Sequence, residues 1–146
     1  MKRTKKTPVD SSQAPRYYRI GTTLLSSARD LSELAGEEEG YGNAIAILAI
    51  HAAIALSDAL AIGYAGYKSG AGEHVKAAEV LQEALGSRAD ARQIKSLRDI
   101  LKKKDAASYL GVFFTLAEAR ALLEKLTSFT QWAEVLYRQR PPSAHT

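Results

Sequence analysis

The stretch NAIAILAIHAAIALSDALAIGYA, from Asn43 to Ala65, is almost wholly apolar and decides the fold. Past its first residue, its only strongly polar side chains are those of His51, Ser57 and Asp58. A membrane span needs about 20 apolar residues, but a carboxylate at its middle costs about 2.5–3.5 kcal/mol on insertion scales. Large apolar side chains fall on opposite sides of this helix, so both sides need apolar partners. The stretch therefore predicts a central helix that is buried inside a water-soluble protein.

Asp58 is predicted to be buried together with this helix. A buried carboxylate is unfavourable unless it is paired or neutralised, so Asp58 either orients a functional group or holds a loop or helix end in place. His51 lies on the same face but about 10 Å away along the axis, beyond direct hydrogen bonding. His51 is interpreted first as a packed core histidine, with a functional role as the alternative.

Length and composition predict one domain. The 146 residues, 46% of them hydrophobic, predict a helical domain at 15–140, a disordered basic arm at 1–14 and a flexible tail at 141–146. The absence of cysteine excludes disulfides and thiolate chemistry and agrees with a cytoplasmic location. The N-terminal MKRTKKTPVD is basic but no apolar run follows it, so no secretory signal is predicted.

The formal net charge of +4 is unevenly distributed along the chain. The first 20 residues hold six basic residues against Asp10, a balance of +5, and Arg138 and Arg140 in the tail add two more charges. The body of the domain is therefore left at −3. A general phosphate-binding surface is not predicted, although a local one remains open.

Glycine and proline divide the chain into five pieces of helix length and leave few runs suited to strands. The pattern predicts an all-α bundle of about five helices. The first predicted helix runs from about Pro15 to Ala35, and the second is the apolar helix that ends at Gly66. The third runs from about Glu73 to Leu85, and the fourth has Asp90 as its N-cap. The last begins with a capping box formed by Thr115 and Glu118 and ends at Pro141.

The fourth predicted helix is basic and ends in KKKDAASYLG, residues 102–111. Lysine ammonium groups and tyrosine hydroxyls suit anions, which draws attention to Lys104 and Tyr109. One interpretation is a phosphate-binding face, and the other is a solvated face with cations placed favourably near a helix C-terminus. The candidate nucleic-acid contacts on this helix are Arg92, Lys95, Arg98, Lys102 and Lys103.

The three histidines follow neither an HxxxH nor a Glu-x-x-His spacing, so neither a metal site nor a cofactor is predicted. The second helix and the seam of the last helix offer more apolar surface than one small bundle needs, which predicts a homodimer. No membrane partner is predicted, because the first helix lacks an obviously basic amphipathic face.

Four short motifs together resemble the HEPN superfamily of small helical bundles. They are ALSDAL at Ala55–Leu60, GEH at Gly72–His74, LKKKDAASY at Leu101–Tyr109 and EARALLEKL at Glu118–Leu126, and the resemblance covers about Leu24 to Tyr137. It implies an up-and-down bundle that is often dimeric. It also implies either a metal-independent endoribonuclease of a toxin or defence system, or a non-catalytic partner of a nucleotidyltransferase or a toxin or antitoxin protein encoded nearby.

The chain departs from the nuclease signature of that family, an arginine and a histidine with four to six residues between them. The only matches pair Arg138 or Arg140 with His145, and the two intervening prolines prevent a helical presentation. The polar residues that match the family's polar cluster are Asp58, His74, Lys104 and Tyr109. His74 could act as acid or base and Lys104 could stabilise a phosphorane, or the cluster could simply fix the loops by hydrogen bonds. An RNA-binding or RNA-cleaving protein and a non-enzymatic interaction module both remain open.

Overall fold

The computed structural model of this chain describes residues 5–36, 40–70, 72 and 74–143. Within these ranges the protein is helical apart from one two-stranded sheet, so the prediction of an all-α bundle is confirmed. The helices are α1 (Ala14–Leu34), α2 (Tyr41–Ala65), α3 (Ala77–Leu85), α4 (Ala91–Leu101), the short α5 (Lys104–Ser108) and α6 (Leu116–Arg138), and the strands are β1 (Lys6–Pro8) and β2 (Tyr67–Ser69). Short 3-10 turns cover Ser11–Gln13, His74–Lys76 and Gly86–Arg88.

Helix α2 is the centre of the bundle, as its apolar sequence predicts. Helices α1, α3 and α6 all pack against it, and every residue from Ala52 to Gly63 is buried. Among the described residues it is the one helix long and apolar enough to cross a membrane, and 83% of its most apolar window is buried inside the protein. Its apolar surface is therefore covered by other helices of the same chain.

The directions of the three longest helices follow from contacts at their ends. Tyr18 near the start of α1 stacks on Tyr137 near the end of α6, with ring centroids 3.8 Å apart. Arg120 near the start of α6 bonds to Ser32 near the end of α1, so these helices are antiparallel. Gly42 near the start of α2 lies against Phe114, just before α6, and Gly63 near the end of α2 lies against Arg140, just after α6. Helices α2 and α6 therefore run parallel.

Local sequence signals set several helix ends where they were expected. The Asp90 side chain accepts hydrogen bonds from the backbone N–H groups of Arg92 and Gln93, at 2.9 and 3.1 Å. Thr115 and Glu118 form the reciprocal capping box that opens α6. These caps satisfy N–H groups that have no partner inside the helix.

The disordered arm predicted for 1–14 is wrong for residues 5–14. Strand β1 pairs antiparallel with β2, with Thr7 opposite Lys68, and a 3-10 turn capped by Asp10 leads into α1. The Lys6 ammonium group pairs with Glu83 and lies 5.0 Å from the centre of the Tyr67 ring. Its charge therefore has partners from distant segments. Residues 1–4 lie outside the described residues, as do residues 144–146 of the tail predicted to be flexible.

Asn43 and Gly42, at the start of α2, hold the segment between α5 and α6 in place. The Asn43 side-chain amide donates to the carbonyl oxygens of Val112 (2.7 Å) and Ala107 (3.1 Å), and its oxygen accepts from the Phe114 N–H (2.9 Å). A Cβ atom on Gly42 would lie 1.9 Å from the Phe114 carbonyl oxygen. Only glycine lets the backbone approach this closely.

Candidate functional site

Asp58 is buried, as predicted, and its partner is the strand that follows α2. The side chain is 5% exposed, and its Oδ1 accepts a hydrogen bond from the Ser69 hydroxyl at 3.3 Å. Burial raises the pKa of Asp58 to about 6, while the Lys68 charge and hydrogen bonds from the side chain and backbone of Ser69 act in the opposite direction. Asp58 therefore anchors β2 against α2, and its hydrogen bonds within the described residues go to neither His74 nor Tyr109.

His74 begins the 3-10 turn before α3 and is half-buried. Its Nδ1 is buried and has no hydrogen-bond partner among the described residues. Burial lowers the pKa of His74, and the positive charges of Lys104, Lys68 and His51 lower it further, in that order. The lowered pKa favours the neutral imidazole at neutral pH, and its Nδ1 has no hydrogen-bond partner within the described part of the chain.

His51 is the only exposed residue between Ile45 and Gly63. Its first interpretation, a packed core histidine, is therefore wrong, because this position of α2 is the one that the neighbouring helices leave uncovered. The pKa of His51 is lowered, first by partial burial and then by the charge of Lys104. A histidine thus occupies the one exposed position in the middle part of α2, between Ile45 and Gly63.

Lys104 connects the two histidines with Tyr109. It is the first residue of α5, and its Nζ lies 5.4 Å from the centre of the Tyr109 ring, within the range of a cation–π contact. The Lys104 charge acts on both imidazoles. Tyr109 itself is 74% exposed. Lys104 and Tyr109 thus lie next to each other, at the two ends of α5 and not at the end of α4.

The groups that share this electrostatic neighbourhood form the His–Lys cluster, defined as His51, Lys68, His74 and Lys104. They come from α2, β2, the 3-10 turn and α5, so the fold and not the local sequence brings them together. Neutral imidazoles can accept protons, and ammonium groups attract and stabilise oxyanions. Asp58 is close enough to Lys68 for that charge to act on its carboxyl group, and it positions β2 through its hydrogen bond with Ser69.

Of the five basic residues expected to contact nucleic acid, four keep their charge available. Arg98 forms an ion pair with Glu79, with 2.9 Å between Nε and Oε1. Arg92, Lys95, Lys102 and Lys103 are exposed and have no ion-pair partner among the described residues. Asp99, the one acidic residue of α4, is paired with Lys125 of α6 at 3.6 Å.

The arginines next to His145 are engaged elsewhere. Arg138 pairs with Glu134, and the Arg140 guanidinium stacks on the Tyr137 ring at 3.9 Å. His145 lies outside the described residues. Within the described residues, no three histidine or carboxylate side chains lie close enough to hold a metal ion.

The sequence did not identify Lys68 and Ser69 as members or neighbours of the site, and it gave His51 a functional role only as the alternative to a core position. Lys68 and Ser69 follow Gly66 in a segment with no motif, so no signal identified them. His51 did carry a signal, as the only titratable group in a long apolar run before Asp58.

Neither a family model, nor a curated protein sequence, nor a solved structure matches this chain.

Proposed function

We propose that this protein is a cytoplasmic HEPN-like bundle that binds RNA or a nucleotide at the His–Lys cluster and cleaves RNA there without a metal ion, as part of a toxin–antitoxin or defence system. The observation that carries the proposal is the buried Nδ1 of His74, which has no hydrogen-bond partner among the described residues, in an imidazole whose pKa is lowered by burial and by Lys104. An imidazole that acts electrostatically together with a cation and a second imidazole supplies the groups that phosphodiester cleavage requires.

The cleavage step uses the ribose 2′-hydroxyl as nucleophile. Neutral His74 accepts its proton while the 2′-oxygen bonds to phosphorus, and Lys104 stabilises the additional negative charge on the phosphorane. Protonated His51, which is exposed and exchanges protons with solvent, donates to the departing 5′-oxygen as the P–O5′ bond breaks. The products are a 2′,3′-cyclic phosphate and a 5′-hydroxyl.

The exposed cations of α4 and of the turn that follows it support the binding part of the proposal. Arg92, Lys95, Lys102 and Lys103 offer charge that carboxylates of the described chain do not neutralise. Phosphate backbones bind to such surfaces through counterion release. Tyr109, exposed beside Lys104, offers a ring on which a base can stack.

The test is cleavage of a short unstructured RNA in EDTA by the wild type, His74→Ala and Lys76→Ala. Lys76 lies in the same 3-10 turn, is exposed and is not a member of the cluster, so it is the matched control. Loss of a general acid or base lowers the rate by about 10²–10⁴-fold. Equal rates for His74→Ala and the wild type would remove the cluster from the mechanism.

A second candidate function is a non-enzymatic dimeric module that partners a nucleotidyltransferase or a toxin or antitoxin protein. The observation that favours it is the apolar loop, residues 109–113, in which Tyr109, Leu110, Val112 and Phe113 are 74, 68, 46 and 68% exposed. Asn43 holds this loop in a fixed conformation. A contiguous exposed apolar surface is typical of interaction sites, and a pre-organised one loses less entropy on association.

The dimer is tested by light scattering after size exclusion. The second candidate predicts a wild-type dimer that dissociates in Phe113→Ser and Leu110→Ser, while Leu34→Ser, at an 84% exposed leucine of α1, leaves it intact. A wild-type monomer at tens of micromolar would count against this candidate. RNA cleavage lost in His74→Ala would favour the enzyme over the module.

A further inference from the structure

A cleft of about 350 Å³ lies between α1 and α6, outside the His–Lys cluster. This volume is within the range of small-ligand sites, at its lower end. Two arginines line the cleft, one from each helix, and each is hydrogen-bonded to the opposite helix. The cleft is lined by Arg29, Ser32, Arg120, Leu123, Glu124 and Thr127.

Both guanidinium groups are held by neutral acceptors. Arg29 donates from Nη2 to the Thr127 hydroxyl oxygen at 3.1 Å. Arg120 donates from Nε to the Ser32 hydroxyl oxygen at 3.1 Å and from Nη2 to the Ser32 carbonyl oxygen at 2.8 Å. These bonds orient each planar group and leave its other N–H donors available.

Neither arginine has a carboxylate within ion-pair distance among the described residues, although Glu124 lines the same cleft. Arg98 and Arg138, in contrast, are each paired with a glutamate. The cleft therefore combines two positive charges with one negative charge, and its guanidinium groups have not been used for an internal ion pair.

Of the two hydroxyl groups in the cleft, only that of Ser32 adds a further hydrogen-bond donor. Thr127 donates its own proton to the Leu123 carbonyl oxygen at 2.9 Å, so its oxygen serves as acceptor for Arg29. Ser32 accepts from Arg120, and its hydroxyl proton has no acceptor among the described residues. Within the described residues, no hydrogen-bond acceptor takes the remaining N–H donors of Arg29 and Arg120 or the hydroxyl proton of Ser32.

We infer that this cleft binds the oxyanion of a small molecule, a carboxylate or a phosphate, between Arg29 and Arg120. Paired guanidinium forks match the geometry of carboxylate and phosphate oxygens, and charge-assisted bonds of this kind are strong. The net lining charge of +1 fits a singly charged group, and the buried Leu123 offers an apolar contact for the atoms that carry it. This site is separate from the proposed RNA chemistry and does not depend on it.

The experiment is an NMR titration of the full-length protein, following the Arg Nε–H signals, with benzoate, phenyl phosphate and neutral benzamide at constant ionic strength. The inference predicts saturable shifts at Arg29 and Arg120 with at least one anion and none with benzamide. A preference for benzoate identifies a carboxylate ligand, and a preference for phenyl phosphate identifies a phosphate ligand.

The variants are Arg29→Gln and Arg120→Gln, with Arg138→Gln as the control on α6. Each cleft variant should weaken anion binding by about tenfold or more, the effect of removing a charge-assisted bond, and the control should not. Arg29→Lys, which keeps the charge but loses the planar fork, should also weaken it. No saturable anion binding, benzamide binding of equal strength, or equal affinity in Arg29→Gln and the wild type would overturn the inference.

Discussion

The Ser69 hydroxyl donates a hydrogen bond to the buried Asp58 carboxylate, and this pair fastens the strand β2 to the central helix. Because β2 also carries the N-terminal strand β1 and Lys68 of the His–Lys cluster, one buried carboxylate positions both the N-terminal segment and part of the candidate site. Asp58 thus acts on the site through the backbone that it holds.

Replacing Asp58 with asparagine should make the protein more stable relative to the wild type as the pH rises. The pKa of Asp58 is raised from 3.8 to about 6 because burial favours the neutral carboxyl group. The contribution of the neutral carboxyl group to the free energy of unfolding is therefore fully present below pH 3.8 and is lost as the pH rises through 6. The free-energy difference between Asp58→Asn and the wild type should therefore grow by about 2 kcal/mol from pH 4 to pH 7.5. Urea unfolding at both pH values measures it, and a pH-independent difference would show that Asp58 is not a desolvated carboxylate.

Adding a methyl group at Gly42 should destabilise the protein by about 1–3 kcal/mol, as overpacking does. The new Cβ would meet the Phe114 carbonyl oxygen, and either α2 or the start of α6 must shift. Gly36→Ala is the control, because a Cβ there meets nothing within 4 Å. Thermal melts compare the two, and equal melting temperatures would contradict the close approach of α2 to Phe114.

RNA binding should depend on salt through specific residues of α4. Arg92→Ala and Lys95→Ala should each reduce the slope of log affinity against log salt by about 0.7, the value for one phosphate contact to a single strand. Arg98→Ala should change the slope less, because Glu79 already pairs with that guanidinium. Fluorescence anisotropy with a labelled single-stranded RNA gives the slopes. A larger effect for Arg98 than for Arg92 and Lys95 would place the RNA on a different face.

RNA cleavage should have a bell-shaped pH profile with its maximum below pH 6.5. The base must be neutral and the acid protonated, so the rate peaks between their two pKa values. Burial and Lys104 lower the pKa of both His51 and His74 from 6.5. Initial rates between pH 4.5 and 8 provide the profile, and a rate that rises continuously above pH 7 would exclude this histidine pair.

The sequence predicted the central helix and two of the helix caps because those features depend on neighbours within a few residues. The apolar run of α2 requires burial on both sides, and Asp90 and Thr115 cap the helices that follow them directly. The sequence did not predict strand β1, because its partner strand β2 lies about 60 residues further along the chain. The ion-pair partner of Lys6, Glu83, is equally distant in sequence. Without knowledge of these distant partners, a basic N-terminal segment is predicted to be solvated and disordered.

The candidate site was predictable only in part, because its members are brought together by contacts between segments that are distant in sequence. His74, Lys104 and Tyr109 were singled out by residue type and by the HEPN resemblance, and Lys104 does lie beside Tyr109. The position of His51 depends on which face of α2 the other helices leave open, which periodicity could not decide on a helix apolar on all sides. Lys68 enters the cluster because Asp58 and Ser69 hold its strand.

His51 and His74 share the electric field of Lys104, and NMR titration of the histidine C2–H signals measures this coupling. The structure predicts that both pKa values lie below 6.5 in the wild type and that both rise in Lys104→Met, while Lys76→Met leaves them unchanged. If the two histidines titrate at 6.5 or above, or do not respond to the loss of Lys104, the His–Lys cluster does not exist as described.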